Sequence, residues 1–233
     1  MEKENKWNIS DMSNITDYLI TKSNGLLKRN FEPTNYTYSN FNLGGVECEV
    51  GEFLYGMVRL LKPFHILETG THLGISASYM GQACKDNAKG EVETIEYLDH
   101  FYMQSQDLFR VLELGVRVKG RKMNIDDFKP TQNTYYDMLF LDSEPSRRWQ
   151  ELIKFYPYLV QGGYVFLHDL PRGFCKGNIN PDHPELQDWP WGPIPQEIKD
   201  WLKNEELVKF HFPNPREMCG FYRTRLDDYK INE

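Results

Sequence analysis

The sequence has no apolar run approaching the roughly 18 to 20 residues of a membrane-spanning helix. Its first ten residues, MEKENKWNIS, carry charge with no apolar stretch behind them. It reads as neither membrane-inserted nor secreted by a signal of its own. Cysteine is scarce: Cys48, Cys84, Cys175 and Cys219 are scattered with no C-x-x-C pair. That pattern excludes a zinc knuckle and a dense disulfide frame, and it points to reduced thiols in a cytoplasm. Positive charge is short too, with 27 Lys plus Arg against 34 Asp plus Glu and a net charge of -7. Such a balance gathers no polyphosphate, so nucleic acid is set aside as a partner. There is no repeat, low-complexity tract or Gly/Ser linker either. What is there is a chain of 233 residues, 40% hydrophobic and 26% charged, enough for one globular domain with a short accessory segment. The 14% aromatic content suits a core, and also a pocket or an interface.

The pattern changes near Asn42-Leu43-Gly44-Gly45, separating an accessory helix and loop at residues 1–45 from a main domain at residues 46–233. In the first part, Asp11 to Lys28 is a polar amphipathic segment and Asn35 to Asn42 a Tyr/Asn-rich loop. The second alternates. A helix is expected over Val46 to Lys62, stopped by Pro63, then a buried strand over Phe64 to Glu68 closed by Gly70. Helices follow at about Ser76 to Asn87, His100 to Leu114 and Arg148 to Leu159. Strands follow at Glu91 to Glu96, Val118 to Met123, Asp137 to Leu141 and Gly163 to Leu167. Alternation of this kind requires right-handed crossovers and a doubly wound, mostly parallel α/β sheet, here seven-stranded. Ile194 to Asn204 reads as a helix, and Leu207 to Phe212 with Cys219 to Thr224 as an antiparallel C-terminal hairpin joined through a Pro-containing turn. Such sheets take ligands outside the carboxyl ends of their strands.

The most informative segment is Ile66-Leu67-Glu68-Thr69-Gly70-Thr71-His72-Leu73-Gly74-Ile75-Ser76, a strand, a glycine turn and a helix start. Its spacing is G-x-x-x-G. A dinucleotide fingerprint needs a bare glycine where His72 stands, and a phosphate loop needs Gly-Lys-Ser/Thr, which is absent. The loop therefore suits a ligand without phosphates beside a helix N-terminus that favours a carboxylate. The next strand, EVETIE, ends in Glu96, an acid that can take both hydroxyls of a ribose. Adenosine with an amino-acid tail meets both requirements, and S-adenosylmethionine is that molecule.

From Val50 to Asp169 the chain resembles class I S-adenosylmethionine-dependent methyltransferases, and among them small-molecule O-methyltransferases of the catechol O-methyltransferase type. The matching pieces are Val50-Gly51-Glu52, ILETGTHLGISAS, TIEYLD, MNIDDF, LFLDS and GGYVFLHD, in that order. The resemblance implies a Rossmann-like methyltransferase fold. It places Glu68, Gly70, Thr71 and Ser76 around the methionine end, and Glu96 and Asp126 on ribose and adenine. Val50, His72, Gly74, Tyr97 and Asp142 complete the expected cofactor surroundings.

In that family the acids matching Asp142 and Asp169 bind a divalent metal, magnesium by default, which holds the acceptor oxygens. Two departures stand out: the family's third ligand, an amide, is Leu170 here, and its lysine base falls at about Pro145. His168 is the substitute, as base or as ligand, so His168, Asp142 and Asp169 are the expected catalytic set. Arg147, Arg148 and Arg172 are solvent-facing or orient an anionic acceptor, and Trp189 and Trp191 stack on a ring or pin a Pro-rich loop. The basic residues Arg117, Lys119, Arg121 and Lys122 read as protection of a sheet edge. The expected activity is methyl transfer to a hydroxyl of a small phenolic or saccharide acceptor, with a homo-oligomer left open. The alternative is a binding protein of the same fold whose chemistry has lapsed.

Overall fold

The computed structural model describes residues 14–30, 39–42, 45–131, 133–169, 194–204, 206–212 and 218–225. Helix α1 (Ile15–Lys22) starts at Asn14, whose side chain accepts the Asp17 amide, the capping bond that an Asn at this position supplies. Two short strands, β1 (Arg29–Asn30) and β2 (Asn40–Phe41), pair antiparallel, so the end of the expected Tyr/Asn-rich loop is strand. Helix α2 (Cys48–Leu61) stops with Lys62 in the left-handed region just ahead of Pro63. The alternating units are β3 (His65–Thr69), α3 (Ile75–Asp86), β4 (Glu91–Glu96), α4 (Asp99–Val111), β5 (Val118–Lys122), β6 (Tyr136–Leu141), α5 (Arg148–Phe155) and β7 (Leu159–Leu167). Helix α6 (Gln196–Lys203) and the hairpin β8 (Leu207–Phe212) with β9 (Met218–Arg223) complete them. Among the described residues no helix is long and apolar enough to cross a membrane.

The sheet order is β5-β4-β3-β6-β7-β9-β8, parallel except for β9, which runs antiparallel to both of its neighbours. This is the Rossmann-like methyltransferase fold that the alternation and the resemblance predict. Expected boundaries move by up to four residues. The helix after Arg148 ends at Phe155 rather than Leu159, because Pro157 allows only a tight turn at Tyr156–Tyr158, and β7 then begins four residues earlier than expected. Period-two alternation sends Ile66, Met138, Phe140 and Phe166 into a core with α1 to α4, and Leu67, Leu139, Leu141, Val165 and Leu167 into a second core under α5 and α6. Each such side chain, fully withdrawn from water, contributes about 1.5 to 3 kcal/mol. At the edge strand β5, Lys119 and Arg121 are tied across to Glu91 and Glu93 at 2.7 and 2.8 Å. The basic stretch is thus a paired ladder.

The strand order reverses beside β3, where β4 lies on one side and β6 on the other. Parallel sheets open a crevice at such a reversal, because consecutive crossovers leave on opposite faces. The carboxyl ends Thr69 and Leu141 are register partners there.

Candidate active site

A cavity of about 510 Å3 occupies this crevice. Its floor is the glycine turn after β3. Gly70 has φ +83°, and a Cβ on it would stand 2.4 Å from the Asp142 carbonyl oxygen, so only glycine lets β3 and β6 end this close together. The Gly70 and Thr71 amides both donate to Ile95 O, and the Asp142 amide donates to Thr69 O. His72 also has positive φ, at 48°. Its ring lies 4.0 Å from that of Phe101, and burial lowers its pKa. Glu96 is held by three backbone donors: Tyr97 and Leu98 amides on Oε1 at 3.0 and 2.9 Å, and the His72 amide on Oε2 at 2.8 Å. A carboxylate offers about four lone-pair sites, so an acceptor position remains on Oε2 with its direction fixed by the loop. Phe101, Met123, Asn124 and Ile125 line the wall next to it.

Beneath the turn lie two buried acids. Glu68 accepts from Ser76 Oγ and Thr94 Oγ1, and burial raises its carboxyl to about 8 despite those bonds. Glu151 accepts from Thr69 Oγ1 at 2.7 Å and from Ser143 Oγ, and burial raises it as well. These bonds brace the ends of β3 and β6 from below.

At the other end of the cavity the walls are Asp142, Ser143, Glu144, Pro145, Arg147 and Asp169. Asp169, just past β7, has φ +61°, a strained setting that Asp tolerates better than most residues. Asp142 Oδ1 accepts from Arg148 Nη2 at 2.7 Å and lies 3.3 Å from His168 Nδ1. The other imidazole nitrogen, Nε2, is 3.0 Å from Glu47 Oε2, and the Arg148 Nε–H donates to the His168 carbonyl at 3.0 Å. Burial would push His168 down, but Asp142, Glu47 and Asp169 together outweigh it and raise the imidazole to about 9. The ring thus lies between carboxylates on each side, which favour its charged form.

Of the residues singled out from sequence, Gly70, Thr71, His72, Ser76, Glu96, Tyr97, Asp142 and Asp169 line the one cavity. Five others do not. Val50 is buried in α2, and the segment just before that helix, Gly45 and Val46, lines the cavity instead. Glu68 supports the turn from below, and Gly74 faces α4, where a Cβ would meet the Phe109 ring at 2.7 Å. The Asp126 side chain is paired with Arg147 outside the wall. His168 has no exposed surface and lies between Asp142 and Glu47 instead of lining the cavity. Arg148, read from sequence as solvent-facing or as an anion anchor, is fully buried on Asp142. Glu47 and Glu151 went unnoticed because neither lies in a motif. Leu170, Arg172, Cys175, Trp189 and Trp191 lie outside the described residues.

Donor atoms of Asp142, His168 and Asp169 lie within 4.8 Å of one another, the sole cluster of metal-ligand type among the described residues. The donor set fits a divalent ion poorly, because Asp142 Oδ1 already accepts from the buried Arg148 guanidinium at 2.7 Å.

Residues 67–170 match a family model described as a methyltransferase domain. Comparison with curated proteins finds no match. Among solved structures, an O-methyltransferase of Streptomyces achromogenes involved in tomaymycin synthesis, in complex with S-adenosylmethionine, aligns with TM-score 0.64 at 16% identity. The alignment covers 92% of this chain and 100% of that one. A Podospora anserina methyltransferase with S-adenosylhomocysteine bound gives 0.60 at 16% identity, covering 94% and 97%. A Bacillus cereus O-methyltransferase complexed with S-adenosylhomocysteine gives 0.58 at 16% identity, covering 78% and 84%. At these identities the likeness is one of fold.

Proposed function

We propose that this chain is an S-adenosylmethionine-dependent methyltransferase that acts on a hydroxyl of a small molecule, phenolic or saccharide, and that Asp169 takes the hydroxyl proton. The observation that carries this reading is the single cavity running from Glu96 to Asp142 and Asp169. One end offers an oriented carboxylate for a vicinal diol, and the other offers carboxylates for a hydroxyl. When bound, the cofactor supplies a sulfonium-activated methyl group, so the chain's own part is alignment and proton removal.

Glu96 is assigned to the ribose hydroxyls, and Phe101 with Ile125 to the faces of the adenine. Gly45, Val46, Gly70 and Ser76 surround the amino-acid end, next to the first turn of α3. At the acceptor end Asp169 is one-fifth exposed and lines the cavity. With the cofactor bound, Asp169 would take the acceptor's hydroxyl proton as that oxygen receives the methyl group, with S-adenosylhomocysteine as the other product. No step here runs through a metal. Buried thiols at Cys48, Cys84 and Cys219, none in a disulfide, fit a reducing cytoplasm.

Calorimetry with S-adenosylhomocysteine, followed by a mass-spectrometric methyl-transfer screen over catechols, phenols and sugars, tests the reading. Micromolar cofactor binding with mass gain of 14 Da per methyl on a hydroxylated acceptor is expected. Cofactor binding with transfer only to amines or thiols overturns the O-methyl assignment, and no cofactor binding overturns the whole.

A further inference from the structure

Arg148 is the first residue of α5, and it follows β6 by a short loop that places it under the end of the strand it has just left. Its side chain has no solvent contact, while Asp142 keeps 15% of its own surface on the cavity side. The guanidinium is charged at every pH the fold survives, so its burial requires a fixed anion. Asp142 is that anion, bonded at 2.7 Å, and Nε is spent on the His168 carbonyl at 3.0 Å. The rigid fork is thus held at the ends of two neighbouring strands, β6 and β7, which bring the cavity-lining acids Asp142 and Asp169 together.

We propose that the Arg148 guanidinium serves Asp142 in place of a divalent cation, so that the Asp142 and Asp169 pair neither needs nor holds a metal. A metal there would share Asp142 with a cation 2.7 Å from its Oδ1 whose side chain is withdrawn from solvent, and like charges in so poorly screened a place repel strongly. It would also draw Asp142 from its buried partner, and a buried charge deprived of its counter-ion is among the costliest defects a core can carry. Because the cation is part of the chain, the acceptor end keeps its charge balance whether or not ions are present in solution. The inference concerns the same end of the cavity as the proposed transfer and rests on that reading for its catalytic meaning, but its test does not use turnover.

The test is a titration of Mn2+ into the full chain, following the free-ion electron paramagnetic resonance signal, with circular dichroism to check folding. The parent is expected to leave the signal intact at micromolar concentrations. R148Q keeps a planar amide but removes the charge, and it is expected to bind Mn2+ at least about tenfold more tightly. Adding D142N to R148Q should abolish that gain. A residue with a merely structural role would produce no gain of metal binding. Micromolar Mn2+ binding by the parent that D142N removes overturns the proposal, and so does a folded R148Q that still refuses Mn2+. If R148Q does not fold, the parent titration decides alone. Failure of the methyl-transfer reading would leave every arm of this titration readable.

Discussion

His168 and Glu47 are 121 residues apart and meet at 3.0 Å, Nε2 to Oε2, where solvent does not reach. The contact ties the end of β7 to the start of α2, and the residues just before α2, Gly45 and Val46, form part of the cavity wall. The same ring faces Asp142 on its other nitrogen. A single imidazole therefore links the cavity wall ahead of α2 to the acid end of the cavity.

That coupling has a pH signature. Burial opposes the charge on His168, yet Asp142, Glu47 and Asp169 raise its pKa from 6.5 to about 9. A folded value above the unfolded one means the stabilisation is complete below about 6.5 and is lost as pH rises through about 9. Glu68 works in the same sense: burial lifts it from 4.5 to about 8, so its contribution fades across that interval. We expect the melting temperature of the ligand-free chain to fall as pH rises across both intervals. H168Q should flatten the upper part of that fall and E68Q the lower part. A parent melting temperature that climbs with pH over the upper interval contradicts the bridge.

Glu96→Ala is expected to weaken S-adenosylhomocysteine binding by about 1.5 to 3 kcal/mol, the cost of losing hydrogen bonds to a charged acceptor. The variant also strips the His72, Tyr97 and Leu98 amides of their partner, so the loop should loosen and the loss should carry an entropic part. Calorimetry reads both. Unchanged affinity would remove Glu96 from the ribose site.

Gly70→Val distinguishes a turn shaped for the ligand from one shaped for the chain. Sequence alone suggests a variant that folds but cannot bind, since a branched side chain crowds the turn. The structure gives a different expectation, because the first added carbon meets the backbone of Asp142 and Ser143 at 2.4 to 2.7 Å. Backbone cannot rotate aside as a side chain can. Together with φ +83°, this should cost more than about 3 kcal/mol. Soluble, cooperatively melting Gly70→Val with near-parent stability would show that the two strand ends have room to spare.

The sheet was legible because its signals are local: apolar runs of strand length, helix periods between them, and Pro and Gly at the joints. Where a local signal was overlooked the boundary moved, as at Pro157, which ends α5 early. The glycine end of the cavity was legible for the same reason, since Gly70, His72 and Glu96 lie at or just past strand ends. The acid end was only half so. Asp142 and Asp169 close their strands, but Arg148 and Glu47 reach them from other elements, and a charged residue at a helix start looks the same in sequence whether it faces water or a buried acid. Their roles depend on tertiary distance, which spacing along the chain does not carry.

Asp169→Asn isolates the last step. Asparagine tolerates the left-handed backbone that Asp169 adopts at φ +61° and fills the same volume, so the substitution removes charge without new strain. Asp142 keeps Arg148 and His168, and Glu96 is untouched, so cofactor affinity should stay within about twofold of the parent. Transfer should fall by about 100- to 10,000-fold, the usual contribution of a positioned general base. The residual rate should rise with pH as the acceptor hydroxyl ionises unaided, and acceptors of lower hydroxyl pKa should suffer least. The measurement is single-turnover transfer across pH with an acceptor that the parent methylates. An Asp169→Asn rate equal to the parent's at neutral pH would show that the proton leaves by another route, and Asp142 and Glu144, the other acids on that wall, would then be the groups to replace.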